Sequence, residues 1–178
     1  MSVLGTTLRV MCVWNKDRMK TGHRIFVTVI FAILLDWLTK VWAKQVLTSP
    51  SPVIGQAFRL TLGYNTGVAF GLFANGGIFP LIVTGIIIVG LVIWLVVVFR
   101  SGEFPAATHI PIGMILGGAV ANFADRLPDG RVTDFLDFGL GAVRWPTFNL
   151  ADSFIIVGAA ILLWTILSIE PADQEQQA

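Results

Sequence analysis

The sequence predicts an all-α polytopic membrane protein with four transmembrane helices and a small extracytoplasmic β-containing segment between helices 1 and 2. Three observations predict it. Of 178 residues, 55% are apolar and only 13% charged, against roughly 25% charged in soluble domains. Mean hydropathy is +0.79. Residues 79–99 hold no charge over 21 positions, and at about 1.5 Å per residue that stretch spans a hydrocarbon core of roughly 30 Å.

The first helix is expected at residues 25–42, where Asp36 and Lys40 are the only charges. They stand four apart on one face in the favourable order for an ion pair. Such a pair could orient the helix or meet substrate directly. Residues 1–24 read as a cytoplasmic N-terminal segment. A signal peptide fits poorly, because the apolar run is too long and no small-x-small site follows it. Cys12 is the single cysteine, which excludes an intrachain disulfide. No apolar run and small residue precede it, so it does not read as a lipidation site.

Helix 2 is the uncharged 79–99 stretch. The connection before it, residues 43–78, is not an empty linker. Phe58, Arg59, Leu60, Thr61 and Leu62 alternate apolar and polar, the period of a short strand. Asn65-Thr66-Gly67 is a turn signal followed by Val68-Ala69-Phe70, and Asn75-Gly76-Gly77 is another break. A small sheet on the outer leaflet and an irregular loop are both compatible with this pattern.

Helix 3, at 110–124, is short, rich in glycine and alanine, and flanked by Pro111 and Asp125. Gly113, Gly117 and Ala121 recur every fourth residue, and Asp125 continues the row. Small residues at that spacing let a neighbouring backbone approach closely in lipid. A second row, Gly118, Asn122 and Arg126, runs beside it. Helix 4 is expected at 153–169, 17 uncharged residues, ahead of an acidic, glutamine-rich tail at 170–178.

Orientation follows from lysine and arginine. Arg9, Lys16, Arg18, Lys20, Arg24 and Arg100 fall on one side; Lys44, Arg59, Arg126, Arg131 and Arg144 fall on the other. The dense cluster before helix 1 places the N-terminus in the cytoplasm, and four spans return the C-terminus there. Residues 43–78 and 126–150 then face outward.

The stretch 122–152 concentrates the chemistry. It sets five aspartates and two asparagines against helices that are otherwise apolar. Ionisable groups at a membrane lose hydration, so their presence points to use. The two histidines, His23 and His109, fall at the other end of the helices, and no cysteine is near. A serine or cysteine triad and a histidine-ligated zinc site are therefore disfavoured. Among the aspartates, Asp129 lies in a Pro-Asp-Gly turn, Asp137 reads as a solvated loop carboxylate, and Asp125 suits a hydrogen-bond cluster with Asn122 and Arg126. Asp134 and Asp152 are left, although Asp152 could simply cap helix 4. Two carboxylates brought together can share one proton, one serving as base towards water and the other as acid. Proton relays and cation sites use the same residue type.

Five ordered motifs between residues 25 and 169 resemble those of the bacterial lipoprotein signal peptidases, also called signal peptidase II. They are Asp36 with Thr39 and Lys40; Asn65-Thr66-Gly67-Val68-Ala69-Phe70; Gly117-Gly118 with Asn122, Asp125 and Arg126; Gly130 with Val132, Asp134 and Phe135; and Phe148-Asn149 with Ala151 and Asp152. The resemblance implies a four-helix inner-membrane aspartic endopeptidase that needs no cofactor or metal. It implies cleavage of diacylglyceryl-modified prolipoproteins just before the lipid-modified cysteine, with Asp134 and Asp152 as the catalytic dyad. Asn65, Gly67, Asn122, Asp125, Arg126, Asn149, Asp36 and Lys40 would bind substrate or shape the site. Partners implied are the prolipoprotein, the bilayer and globomycin-type inhibitors, with no nucleic acid. Two departures stand out. Ala121 replaces the glycine usual before the asparagine of the third motif, and the first 24 residues exceed what the family requires.

Two rivals make different demands. A cation channel using Asp36, Asp125 and Asp134 would need polar groups at mid-depth in several helices, and helices 2 and 4 offer almost none. A non-catalytic scaffold would not need paired aspartates beside asparagines.

Overall fold

The computed structural model describes the backbone of residues 3–67, 77–101 and 105–168, and their side chains from residue 19 onward except at 99 and 101. Val68-Ala69-Phe70, Asn75, Gly76, the acidic tail and the Cys12 thiol lie outside the described residues. Among the described residues, four long helices and four short strands follow one another as α1 Val3–Val46, β1 Ser51–Ile54, β2 Phe58–Asn65, α2 Phe79–Ser101, α3 His109–Arg126, β3 Val132–Leu140, β4 Val143–Arg144 and α4 Leu150–Ser168. A short 3-10 helix, Ala106–Thr108, leads into α3. Helix α1 begins well before the expected residue 25, and α4 begins at Leu150 rather than 153. By length and composition four helical segments suit a membrane: Met19–Val46, Phe79–Val98, Ala106–Arg126 and Leu150–Ser168.

Helix α3 is the centre of the bundle, packed against α1, α4 and α2. Its glycine rows make this possible. A Cβ added at Gly113 would lie 2.6 Å from Thr28 Cβ, and one at Gly117 would lie 2.7 Å from Ala32 Cβ and 2.9 Å from the Val29 carbonyl oxygen. The first row therefore seats α1. The second row seats α4, since a Cβ at Gly118 would collide with the Ala151 carbonyl and come within 2.8 Å of Ile155. Apolar residues gain little by meeting one another in lipid, so close backbone approach is what holds such helices together. Replacing Gly117 with leucine is expected to destabilise the bundle by about 1–3 kcal/mol. At Gly90, on α2, an added Cβ would meet nothing within 4 Å, and replacement by leucine there should leave the melting midpoint in detergent unchanged. Equal midpoints for the two variants would contradict this packing.

The strands form one antiparallel sheet in the order β1-β2-β3-β4. The segment between helices 1 and 2 does supply strands, β1 and β2, but the sheet extends beyond it. Half of the sheet comes from β3 and β4, in the stretch expected to be loop. The turns use Gly55 at φ 50° and Gly141 at φ 59°, a left-handed conformation that suits glycine. The sheet covers one end of the bundle. Ala43 of α1, Leu47 just after it and Phe135 of β3 are buried together, with Leu60, Leu62, Leu136 and Leu150 packed around them. Asp134, in the buried half of β3, is thus carried to where α1, α3 and α4 meet.

Candidate active site

Five polar side chains from four elements converge under the sheet. Asp134 of β3 is 2% exposed, Asn149 just before α4 is 0%, and Asn122 of α3 is 6%. Asn149 Nδ2 donates to Asp134 Oδ1 at 2.7 Å and to Asn122 Oδ1 at 3.1 Å. Asn122 Nδ2 donates to Asp152 Oδ1 at 2.7 Å. Lys40 Nζ donates to Asn122 Oδ1 at 3.0 Å. The two carboxylates are therefore tied to one linked pair of amides.

The direction of each amide is forced. An ammonium has no acceptor, so the Asn122 atom facing Lys40 must be oxygen, and its NH2 must face Asp152. A backbone N–H likewise only donates. The Asp152 N–H reaches Asn149 Oδ1 at 2.9 Å, which leaves the Asn149 NH2 for Asp134. Lys40 and the start of α4 thus dictate which face each carboxylate sees.

Asp152 does not cap α4, as residue type alone allowed. Asn149 does. It precedes the helix, accepts the Asp152 N–H, and its own N–H donates to Asp152 Oδ2 at 3.3 Å. This is a reciprocal capping arrangement. A second cap comes from another helix: Asp36 Oδ1 accepts the Ala151 N–H at 2.9 Å. The Asp36–Lys40 pair, 2.7 Å apart with both side chains buried, therefore orients α1 and also fixes the end of α4.

Asp125 sits in a polar cluster whose direct partners are Thr133, Lys40 and Lys44 rather than the expected Asn122 and Arg126. It accepts the Thr133 N–H at 2.7 Å and faces Lys40 at 3.3 Å and Lys44 at 3.5 Å, tying α3 to the residue before Asp134. Arg126, 6% exposed, donates to the Gly67 carbonyl at 2.6 Å and the Asn122 carbonyl at 3.3 Å. Its Nε has no partner among the described residues. Asn65 is not brought to the carboxylates by any described contact. Its Oδ1 accepts the Gly67 N–H at 2.9 Å, shaping the turn that Arg126 holds. Asp129 is a turn residue, accepting from the Arg131 backbone and side chain.

Asp137 overturns its expectation. It is 3% exposed, not solvated, and two guanidiniums enclose it: Arg59 Nη2 and Arg144 Nη2 each stand 2.7 Å away. Burial by itself would lift its carboxyl, but the hydrogen bonds from Arg59, Arg144 and Thr61 outweigh that and hold it below the usual carboxylate range. Asp134 goes the other way. Burial, and then the charge of Asp152, push it up to about 7, and the opposing Asn149, Lys40 and Arg126 do not cancel the rise. Burial in the site thus leaves Asp134 able to hold a proton near neutral pH.

Two apolar clefts of about 510 and 340 Å³ flank α2 towards the other end of the bundle. No carboxylate lines either.

Comparison with known proteins adds a family and a fold. The family profile described as signal peptidase (SPase) II matches residues 28–168. The lipoprotein signal peptidase of Serratia proteamaculans is 38% identical over 152 residues, 84% of this chain and 89% of that protein. That of Thermosynechococcus vestitus is 40% identical over 139 residues, 75% and 85% of the two chains. A bacterial membrane enzyme solved by the in meso method at 2.3 Å superposes with a TM-score of 0.73 at 25% identity, covering 86% of this chain and 93% of that one.

Proposed function

The chain belongs to the signal peptidase (SPase) II family, and from that premise we propose that it is an aspartic endopeptidase of diacylglyceryl-modified prolipoproteins. It cuts on the N-terminal side of the lipid-modified cysteine, with Asp134 and Asp152 as the catalytic pair. The observation that carries the reading is the pair of carboxylates, from β3 and α4, bound through Asn149 and Asn122.

The two members are unequal. Asp152 accepts from two donors, Asn122 Nδ2 and the Asn149 N–H. Asp134 accepts from Asn149 alone among the described residues and keeps a proton up to about pH 7. Asp152 then takes a proton from water as the oxygen attacks the scissile carbonyl, while Asp134 gives its proton to the carbonyl oxygen. Collapse of the tetrahedral intermediate passes a proton to the departing amine of the modified cysteine and leaves a carboxylic acid on the signal peptide. The Arg126 Nε–H, unpartnered among the described residues, would hold a substrate carbonyl during these steps.

The site's position fits the substrate. Both the signal helix and the lipid on its cysteine lie in a bilayer, so the scissile bond lies at an interface. Both carboxylates stand where the sheet meets helix ends, and Asp152 keeps partial exposure. We place this end of the bundle at the outer face of the bacterial inner membrane, with both termini cytoplasmic, following the basic cluster before α1. Residues 45–77 would cover the bound peptide. Globomycin-type inhibitors should compete there.

The test is direct. Purified protein in detergent should convert a diacylated prolipoprotein into free signal peptide and a product beginning at the modified cysteine, read by mass spectrometry. The unmodified precursor should remain intact. Cleavage at another bond, or none, would refute the reading. A pH dependence follows as well. Because Asp134 is raised to about 7, kcat should fall on the alkaline side with a midpoint near that value as the pair loses its shared proton. Linkage gives the same sign for stability. A carboxyl lifted from 3.8 to about 7 on folding supports the fold at low pH, and that support is lost as pH rises through this interval. A flat kcat from pH 6 to 9 would contradict the assignment.

A further inference from the structure

We propose that Asp137 is a positioning residue for the cleavage reaction: held between Arg59 and Arg144, it fixes the register of β3 against β2 and so places Asp134 beside Asn149. The proposal rests on Asp134 being catalytic.

The argument starts from a defect in the sheet. Leu60 pairs with Leu136, but the next pair is Gly63 with Asp134. Three steps along β2 match two along β3, so β2 bulges at Thr61–Leu62, opposite Phe135 and next to Asp134. A bulge interrupts the ladder locally. A slip of one residue there would turn the side chains of β3 to the opposite face, taking Asp134 out of the site.

The Asp137 carboxylate spans this weak point. Its Oδ2 accepts from Arg59 Nε at 3.0 Å and Nη2 at 2.7 Å, directly across the ladder, and from Thr61 Oγ1 inside the bulge at 3.1 Å. Its Oδ1 accepts from Arg144 Nε on β4 at 2.8 Å. Arg144 also donates to the Asp137 carbonyl at 2.9 Å and to the Gln56 carbonyl, in the β1–β2 turn, at 2.6 Å. Asp137 thereby joins β3 to β2 and β4 around the bulge, and Arg144 extends the tie to the β1–β2 turn.

The other edge of β3 carries the register into the site. The Phe135 and Leu136 N–H groups both donate to the Phe148 carbonyl, at 3.0 and 2.8 Å, and the Phe148 N–H returns to Leu136 at 3.1 Å. Asn149, the next residue, holds Asp134 at 2.7 Å. A displacement of β3 at the bulge therefore reaches the Asp134–Asn149 contact with no slack between. Stability alone accounts poorly for Asp137, because a buried ion cluster is often no more stabilising than apolar residues of its size. Fixing a register is the best-attested use of such groups.

Kinetics with the diacylated prolipoprotein test this. In Asp137→Asn, kcat per folded molecule should fall roughly 10–100-fold while KM stays within about twofold. The alkaline limb of kcat should also move, because the surroundings of Asp134 (Asp152, Asn149, Lys40 and Arg126) shift relative to it. Thr61→Val should show a smaller loss of the same kind. If Asp137→Asn does not fold, Arg59→Lys, which loses the fork but keeps the charge, carries the same readouts. A normal kcat, or one that falls only with the folded fraction while the pH limb stays in place, would overturn the proposal. Asp134→Asn run alongside separates the two ideas. If it is inactive while Asp137→Asn is normal, only the positioning role fails; if Asp134→Asn is active, the catalytic reading itself fails.

Discussion

Replacing Lys40 with methionine is expected to destabilise the protein by about 3–5 kcal/mol, the usual consequence of removing one partner from a buried ion pair. Methionine keeps the length and much of the volume of lysine but cannot donate. Asp36, 1% exposed, would lose the ammonium at 2.7 Å and be left buried without its counter-ion. Asn122 Oδ1 would lose its donor at 3.0 Å, and Asp125 its neighbour at 3.3 Å. For a chain of this size the thermal midpoint should drop by roughly 10 °C. The double variant Asp36→Leu with Lys40→Met should recover part of that loss, since no charge is then left buried. Recovery should be incomplete, because the Ala151 N–H at the start of α4 would still lack its acceptor. Circular dichroism melts of the wild type, both single variants and the double variant close the cycle. A Lys40→Met midpoint equal to that of the wild type would contradict the role given to this pair.

The second large effect is on chemistry. Asparagine at position 134 or 152 preserves shape and removes a titrating group, so each should lower kcat by about 10³–10⁴-fold with folding retained. The two losses should not add. A pair that passes one proton acts as a unit, and the double variant should be little slower than either single one. Losses that multiplied in the double variant would mean that the two aspartates act separately.

Much of this architecture is legible in the chain because it is local. Uncharged runs of helical length mark α2 and α4. The four-residue spacing of Gly113 and Gly117 marks the face on which α1 packs, and the spacing of Asp36 and Lys40 marks their pairing. The sheet is only half legible. Residues 58–62 alternate as a strand should, but β3 reads Val-Thr-Asp-Phe-Leu-Asp-Phe, and aspartates at positions that turn out buried resemble loop. What buries them is remote. Asp137 meets Arg59 across 78 residues of sequence, and Asp134 meets Asn149 across 15. No local pattern encodes those meetings. The same limit explains Asp152. A carboxylate near a helix start reads as a cap, until Asn149 is seen to take that place and leave Asp152 turned towards Asn122.

The claim that Asp134 and Asp152 cut the substrate is tested most directly by single-turnover cleavage with the Asp134→Asn protein in excess over diacylated prolipoprotein. With wild-type protein the signal peptide should be released completely. With Asp134→Asn, folded to the same extent by its melting curve, release should be at or near background over the same period. Release at the wild-type rate would contradict the account.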